Sequence, residues 1–386
     1  MKVLFVKDSQ NYPRSSGHDV HGFYMMRGLS QRGHAISLLT ERVPSREAID
    51  GLDLSDYCTF DDVETGCGIT ALSRLQSRFV SYWGIDPATV SKIAYFSEQN
   101  RFDAVVAVGL RVLPYLAGVG SATRIWYAAD EWCLHHLSLI HMVSPKSWAQ
   151  LKPAIVKGLY ERAFNRITDR VWAVSSKDRS AFQWVMGAKR VDLIPNGVDC
   201  DYFQPQSLEK MPQSVVFWGR LDFEPNIDAI RWFGRNVWVS LKRKYPNATW
   251  NVFGFGAGTE IAHLQSAYGF NLVEGLPDLR TEVSRNEVVV LPFVSGAGIK
   301  NKLLEGAALG LPVVASAMAL NGFPKNSVPM IVANKPLEWI NQIERLWGAR
   351  QLQHAIGEES RNWVRREYSW ETAAKIAEEG MIASLE

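Results

Sequence analysis

Cysteine is scarce in this sequence. Four residues in 386 (Cys58, Cys67, Cys133, Cys200), with no CxxC pair and no metal-ligand spacing, exclude a disulfide framework and a zinc ribbon and fit reduced thiols in a cytoplasm. An excess of one charge is missing too. With 42 Lys and Arg against 40 Asp and Glu, the formal charge is +2, so the basic field of a nucleic-acid binder is absent and nucleic acid is not an expected partner. Long apolar runs are also lacking. Val3 to Val6 are four apolar residues between Lys2 and Lys7, too few for a signal peptide. The uncharged stretch 306–324 is broken by Gly310, Pro312, Ser316, Asn321 and Gly322, so it reads as helix, turn and buried strand rather than a membrane span. No internal repeat stands out.

What is present is the composition of a globular protein, 47% hydrophobic and 21% charged, long enough for two domains. Short apolar runs alternate with helical patterns in both halves, the mark of parallel sheets with crossover helices. In the first half, residues 3–6, a helix over 19–32 ended by Gly33, and residues 35–39 make one βαβ unit; runs at 104–108, 124–128, 170–174 and 191–194 extend the sheet. The prolines of 204–213 place a linker there. A second sheet follows, with runs ending at Gly219, Gly254 and Pro292 and another at 312–315. The expected domains are 1–205, 206–365 and a final segment 366–386 whose helix, capped by Ser369, crosses back to the first. Two such open sheets bind ligands at their carboxyl edges, which makes the cleft between domains the expected active site.

The richest stretch runs from Val288 to Glu305. A buried strand stops at Pro292, Gly296, Ala297, Gly298 and Ile299 let backbone approach a ligand, and a helix opens with Lys300 and Lys302 in its first turn, making an anion site. Lys302 and Glu305, three apart, share a helical face; a lysine there can hold a phosphate while a carboxylate accepts paired hydroxyls. Arg220, after the strand that ends at Gly219, can clamp an anion from the opposite side. In the first half, the loop with Ser16, Gly17 and His18 joins strand to helix and can face a phosphate. Asp130 and Glu131 follow a strand and can bind a hydroxyl or act as a base, or simply be solvated. The glycines of 254–258 lack the register of a dinucleotide motif and read as a turn. Most of the 14 tryptophans are expected in the core.

Several motifs agree in order and spacing with one family: the loop around Ser16-Gly17 with the helix end Arg32-Gly33-His34; Ile194-Pro195-Asn196-Gly197-Val198-Asp199 with Phe203-Gln204-Pro205; Gly219-Arg220-Leu221; Glu274-Gly275-Leu276-Pro277-Asp278; 302–307 with Gly310-Leu311-Pro312; and Tyr368-Ser369-Trp370. Over essentially its whole length the chain resembles a bacterial glycosyltransferase of family 4 with the two-domain GT-B fold. The resemblance implies a retaining transfer of a sugar from a nucleoside diphosphate donor to an acceptor hydroxyl, with no obligatory metal and no cofactor. The catalytic set it implies is Arg220, Lys302 and Asp130. Arg220 and Lys302 would take the diphosphate and Glu305 the ribose, with Gly17 facing them; Gly275, Leu276 and Pro277 would sit near the base, and Gly296, Ala297, Gly298, Ile299 and Lys300 near the donor sugar. Ser16, Gly17, His18, Asp130 and Glu131 would form the acceptor side.

Two departures stand out. The family commonly carries glutamates eight apart, but the position eight before Glu305 is Ala297, and the lysine usual after Gly-Arg-Leu is replaced by Phe223-Glu224-Pro225-Asn226. The variant Gly298-Ile299-Lys300-Asn301-Lys302 resembles a subgroup that assembles surface polysaccharide. An inert sugar-nucleotide or glycan-binding subunit, or a GT-B epimerase, is the alternative. The stretch 152–170 has basic Lys152, Lys157, Arg162 and Arg166 interleaved with apolar residues that, with those just before it, are Trp148, Leu151, Ile155, Leu159, Tyr160 and Phe164, the pattern of a helix lying on a membrane that presents a lipid-linked glycan acceptor, and hence of a cytoplasmic protein at the inner membrane face.

Overall fold

Strands covered on both faces need apolar side chains at every position rather than at alternate ones, and the inner strands of both sheets largely follow that rule. The structure, a computed structural model, describes residues 1–12, 17–64, 72–128, 145–295, 299–324 and 328–385. It divides into two units, Met1–Pro195 with Ala373–Glu386, and Asn196–Thr372.

In the first unit the strands are β1 (Lys2–Lys7), β2 (Ala35–Thr40), β3 (Asp56–Thr59), β4 (Ala104–Val108), β5 (Thr123–Tyr127), β6 (Arg170–Ala173) and β7 (Val191–Leu193). They form one sheet in the order β3-β2-β1-β4-β5-β6-β7. Every pairing is parallel, with Val3 opposite both Ile36 and Ala104. Val105, Trp126, Phe164 and Phe182 sit in its core. The helix Gly17–Gln31 follows β1 and stops at Gly33, whose φ of 85° suits glycine at a helix end. Arg32 and His34, on either side of it, both reach Glu378 of the last helix: the Arg32 Nε donates to its carboxylate at 2.7 Å and the His34 Nε2 lies 2.8 Å away. The Arg-Gly-His motif therefore ties residues 373–385 into this unit.

Lys7 ends β1 and is fully buried. Its Nζ donates to the His18 carbonyl at 2.8 Å and stands 3.7 Å from Asp19 Oδ1, so the strand end grips the start of the next helix. Gly22 makes room, since a Cβ there would come within 2.7 Å of the Nζ. Burial, opposed by Asp19 and Asp8, brings the Lys7 pKa down to about 8.

The second unit has β8 (Ser214–Arg220), β9 (Thr249–Phe255), β10 (Asn271–Glu274), β11 (Val288–Leu291), β12 (Val313–Ala315) and β13 (Ile331–Val332), parallel in the order β10-β9-β8-β11-β12-β13. Trp238, Trp250 and Trp339 are fully buried here, with Phe233 packed edge-on against Trp250 at 5.0 Å between ring centres. The tryptophans are thus mostly core residues, but Trp148 and Trp184 are exposed. The change of unit at Pro195–Asn196 falls before the proline-rich stretch. Val198 donates to the Tyr368 carbonyl at 2.8 Å and Arg361 donates to the Phe203 carbonyl at 3.1 Å, so residues 196–203 already pack on the second unit. Helix Arg350–Glu367 is followed by Trp370–Leu385, and the Ser369 hydroxyl accepts from the Thr372 N–H at 3.1 Å as the expected cap.

Removing one member of a buried ion pair leaves the other charge without compensation. Lys7→Ala should therefore lower the stability of the first unit by about 3 kcal/mol, measured by urea denaturation; an unchanged midpoint would show that the pair contributes nothing.

Candidate functional site

In an open parallel sheet, ligands bind where strand order reverses, because there the loops diverge and leave a crevice at the carboxyl ends. In the second unit this point lies between β8 and β11. A cavity of about 380 Å³ opens there, lined by Tyr202, Phe203, Trp218, Gly219, Pro277, Asp278, Leu279, Arg280, Asn301, Lys302 and Glu305. Its floor is the end of β8 and one wall is the first turn of the helix Asn301–Ala308.

Lys302 lies across the backbone of Gly219. A Cβ on Gly219, whose φ is 144°, would stand 2.6 Å from the Lys302 Nζ and collide with its Cε, so a side chain there would be strained and would displace the lysine from this position. The ammonium also sits 5.9 and 6.0 Å from the ring centres of Phe217 and Phe293, near enough for cation–π attraction. Burial lowers the Lys302 pKa, partly offset by Glu305. Glu305 follows one turn later and receives the Trp218 indole N–H on Oε2 at 2.7 Å. Burial raises its pKa against the pull of that hydrogen bond and of Lys302. Both groups are thus held closer to neutrality than in water, and an anion entering the cavity favours the charged lysine.

A second cation reaches the cavity from the start of the short helix Arg280–Ser284. Arg280 pairs with Asp278 through Nε at 2.9 and 3.0 Å, donates from Nη1 to the Tyr202 carbonyl at 2.6 Å, and its guanidinium carbon lies 3.6 Å from the centre of the Tyr202 ring. The residue types gave no sign of this, since neither residue lies on a periodic face. The turn that delivers Tyr202 is shaped by Asp199 of the Pro-Asn-Gly-Val-Asp motif, whose Oδ1 accepts from the N–H groups of Asp201 and Tyr202 at 3.1 and 2.9 Å. Asn196 donates to the Asn301 side chain at 3.0 Å, and Gly197 lies so close to Trp370 that a Cβ would stand 2.8 Å from its Cγ. Arg361 donates to the carbonyls of Cys200 and Ala308, binding this turn to the end of the helix that carries Lys302.

The candidates named from sequence fall out unevenly. Lys302, Glu305 and Pro277 line the cavity; Gly275 and Leu276 do not, and Leu276 packs on the core. Gly275 has a φ of 71° and donates to the Gly254 carbonyl at 3.0 Å, a turn residue. Arg220 does not line the cavity. Asp222, two residues on, accepts its guanidinium at 3.0 and 2.8 Å, and the pair is exposed. Lys300 is buried behind the helix start, 5.3 Å from the Phe293 ring centre, with a pKa brought down to about 8 by burial and then by Lys302. Ile299 packs on the core and against Gly322. Gly296, Ala297, Gly298, Ser16, Asp130 and Glu131 lie outside the described residues. Gly17 begins the helix after β1. His18 lines a smaller cavity of about 190 Å³ in the first unit with Asp8, Gly109, Arg111 and Lys157. The glycines of 254–258 divide: Gly254 belongs to β9 and the turn follows, with Gly256 at φ 79°. Among the described residues, no group of three or more His, Cys, Asp or Glu is placed to hold a metal ion.

Residues 15–202 match the family model described as Glycosyltransferase Family 4, and residues 212–348 match that described as Glycosyl transferases group 1. None of the curated proteins matches the sequence. Among solved structures, the chain is similar to a sucrose-phosphate synthase from Thermosynechococcus elongatus (TM-score 0.67, 16% identity, 100% of this chain and 99% of that one). It is also similar to Anabaena HepE in complex with UDP (0.66, 14%, 99% and 100%) and to the pneumococcal O-GlcNAc transferase GtfA in complex with UDP and GlcNAc (0.61, 10%, 99% and 99%). At these identities the likeness shows a shared fold, GT-B.

Gly219→Ala forces a side chain into the space of Lys302 at a φ that L-residues avoid. It should cost about 2–4 kcal/mol in urea denaturation; a wild-type midpoint would mean that the lysine has room to leave.

Proposed function

We propose that this chain, a family 4-like glycosyltransferase of the GT-B fold, moves a sugar from a nucleoside diphosphate donor to an acceptor hydroxyl with retention at the anomeric carbon and without a required metal. The observation that carries the reading is the Lys302 and Glu305 pair one helical turn apart in the second-unit cavity, with Gly219 cleared for the lysine. Lys302 neutralises the diphosphate, the opening amides of the helix Asn301–Ala308 add donors to it, and the Glu305 oxygen not engaged by Trp218 accepts a ribose hydroxyl. Positive groups fixed in a partly desolvated cavity stabilise the departing diphosphate, which is where negative charge develops in the transition state. Arg280 and its Tyr202 platform take the role expected of Arg220 on the side of the base or diphosphate. Similar folds solved with UDP support a nucleoside diphosphate as ligand. The acceptor is a glycan or lipid-linked glycan in surface polysaccharide or glycoconjugate synthesis at the cytoplasmic side of the membrane, and the hexosyl class of donor goes with that reading.

The test is calorimetric titration with UDP, GDP, ADP and their sugar conjugates, followed by assay of sugar release. One conjugate should bind and be slowly hydrolysed. Lys302→Ala and Glu305→Ala should each weaken binding about 10- to 100-fold, the loss of one charge-assisted contact, with the fold intact by circular dichroism. Wild-type affinity in both variants would overturn the assignment of the cavity, and binding without release would identify an inert binding subunit.

A pH dependence follows from the lowered Lys302 pKa. The ligand needs the ammonium, so affinity should fall with rising pH below the ordinary lysine value of 10.5. Lys302→Arg should remain charged and keep its affinity through that window; parallel pH profiles for the two proteins would exclude Lys302 as the anion contact.

A further inference from the structure

The helix Leu151–Asn165 is apolar on both sides. Ala154, Tyr160, Ala163 and Phe164 are buried beneath it, and the Tyr160 hydroxyl donates to the Leu110 carbonyl at 3.0 Å. The outward side nevertheless carries Leu151, Ile155 and Leu159, spaced four apart and 38%, 54% and 48% exposed. At 100° per residue they form one row. Trp148 extends the row at its start, 47% exposed. Trp184 stands 85% exposed at the end of the helix Ser176–Trp184. It belongs to the same patch, because Arg162, on the exposed row, donates to the carbonyl of the adjoining Val185 at 3.3 Å.

On the helix Leu151–Asn165 the exposed charge has one sign. Lys152, Arg162 and Arg166 are exposed at its sides and end, while Glu161, the single acid of the helix, is buried. A soluble surface does not keep a contiguous row of large apolar side chains without a partner. A protein partner of ordinary composition has no need of cations without acids, whereas an anionic bilayer matches both parts: apolar side chains and an exposed tryptophan enter the headgroup boundary and lysine and arginine meet the lipid phosphates. We infer that this face of the first unit docks on an anionic lipid surface through Ile155, Leu159 and Trp184, with Lys152 and Arg166 as the electrostatic contacts. The docking is peripheral, since no helix among the described residues is long and apolar enough to cross a membrane. This goes beyond the transfer reaction and names the kind of surface on which the proposed lipid-linked acceptor is met.

The test is co-sedimentation of the full chain with vesicles of phosphatidylcholine alone and of phosphatidylcholine mixed with phosphatidylglycerol, at low and high salt. The protein should pellet with the anionic vesicles and be released by salt. The variant Ile155→Ser, Leu159→Ser, Trp184→Ser, which replaces exposed side chains only, should lose at least about tenfold in partitioning, and Lys152→Gln with Arg166→Gln should lose about tenfold on anionic vesicles alone. Thermal unfolding and the nucleotide titration, read on the same samples, should match wild type, so failure here is separable from failure of the donor-site reading. Absence of pelleting, or equal pelleting of the apolar variant, would overturn the inference. So would a dimer in analytical ultracentrifugation that the same variant dissolves, which would make the face an interface between copies of the chain.

Discussion

The second unit is organised around the passage of one lysine over bare backbone. Lys302 enters the cavity across Gly219, and Gly219 in turn pairs with Gly254 on the neighbouring strand, where a Cβ would run into the Gly219 carbonyl. Near their carboxyl ends β8 and β9 thus carry no side chain at Gly219 and Gly254, beside the point between β8 and β11 where the sheet order reverses. The crevice that parallel topology opens there becomes deep enough for a long cation to lie flat and still face the space above. Side chains at those positions would fill the crevice and push the lysine into solvent, where its charge is screened and its position undefined.

The opposite wall depends on contacts far apart in sequence. Tyr202 and Arg280 stack, Arg280 is held by Asp278, and Asp199 turns the chain so that Tyr202 arrives there. Arg361 then fastens that turn to the last carbonyl of the helix bearing Lys302. A guanidinium suits this task because several fixed donors can meet carbonyls from different segments at once. The Pro-Asn-Gly-Val-Asp motif acquires a physical role by the same route: it is the scaffold of one cavity wall, with Asn196 touching Asn301 and Gly197 fitted under Trp370.

Much of this was legible beforehand and some was not, for identifiable reasons. Both sheets could be read because strands buried on both faces are written as continuous apolar runs. β3, reading Asp-Tyr-Cys-Thr, and β13, with two residues, escaped because edge strands are short and half polar. Lys302 and Glu305 could be paired because helical spacing puts them on one face. Arg220 was expected in the cavity on the strength of following a strand, but Asp222 is nearer and takes both arms of its guanidinium. Arg280 and Tyr202 were missed because they meet through a turn, a stacked ring and a distant arginine, none of which leaves a periodic trace. The exposed row on Leu151–Asn165 had the reverse history: interleaved charge and apolarity announced it, and only burial could show which of its apolar residues face outward.

The cavity holds its charges in compensated form, Lys302 with Glu305 and Arg280 with Asp278. Burial also shifts the Lys302 and Glu305 pKa values in the directions that favour their neutral forms. The cavity's own charges therefore largely offset one another, and a simple anion would gain little there, because each cation has a carboxylate nearby. On the proposed donor reading, a ligand that carries a diphosphate together with a pair of hydroxyls is different, since it would replace both halves of the first pair at once: the phosphates would take the lysine and the hydroxyls the carboxylate. Its binding would favour the charged form of Lys302, against the burial that lowers its pKa. On that reading, selectivity for the joined chemistry over phosphate alone would come from the mutual compensation of the cavity's charges, and the distance between the two functions would be set by a single helical turn.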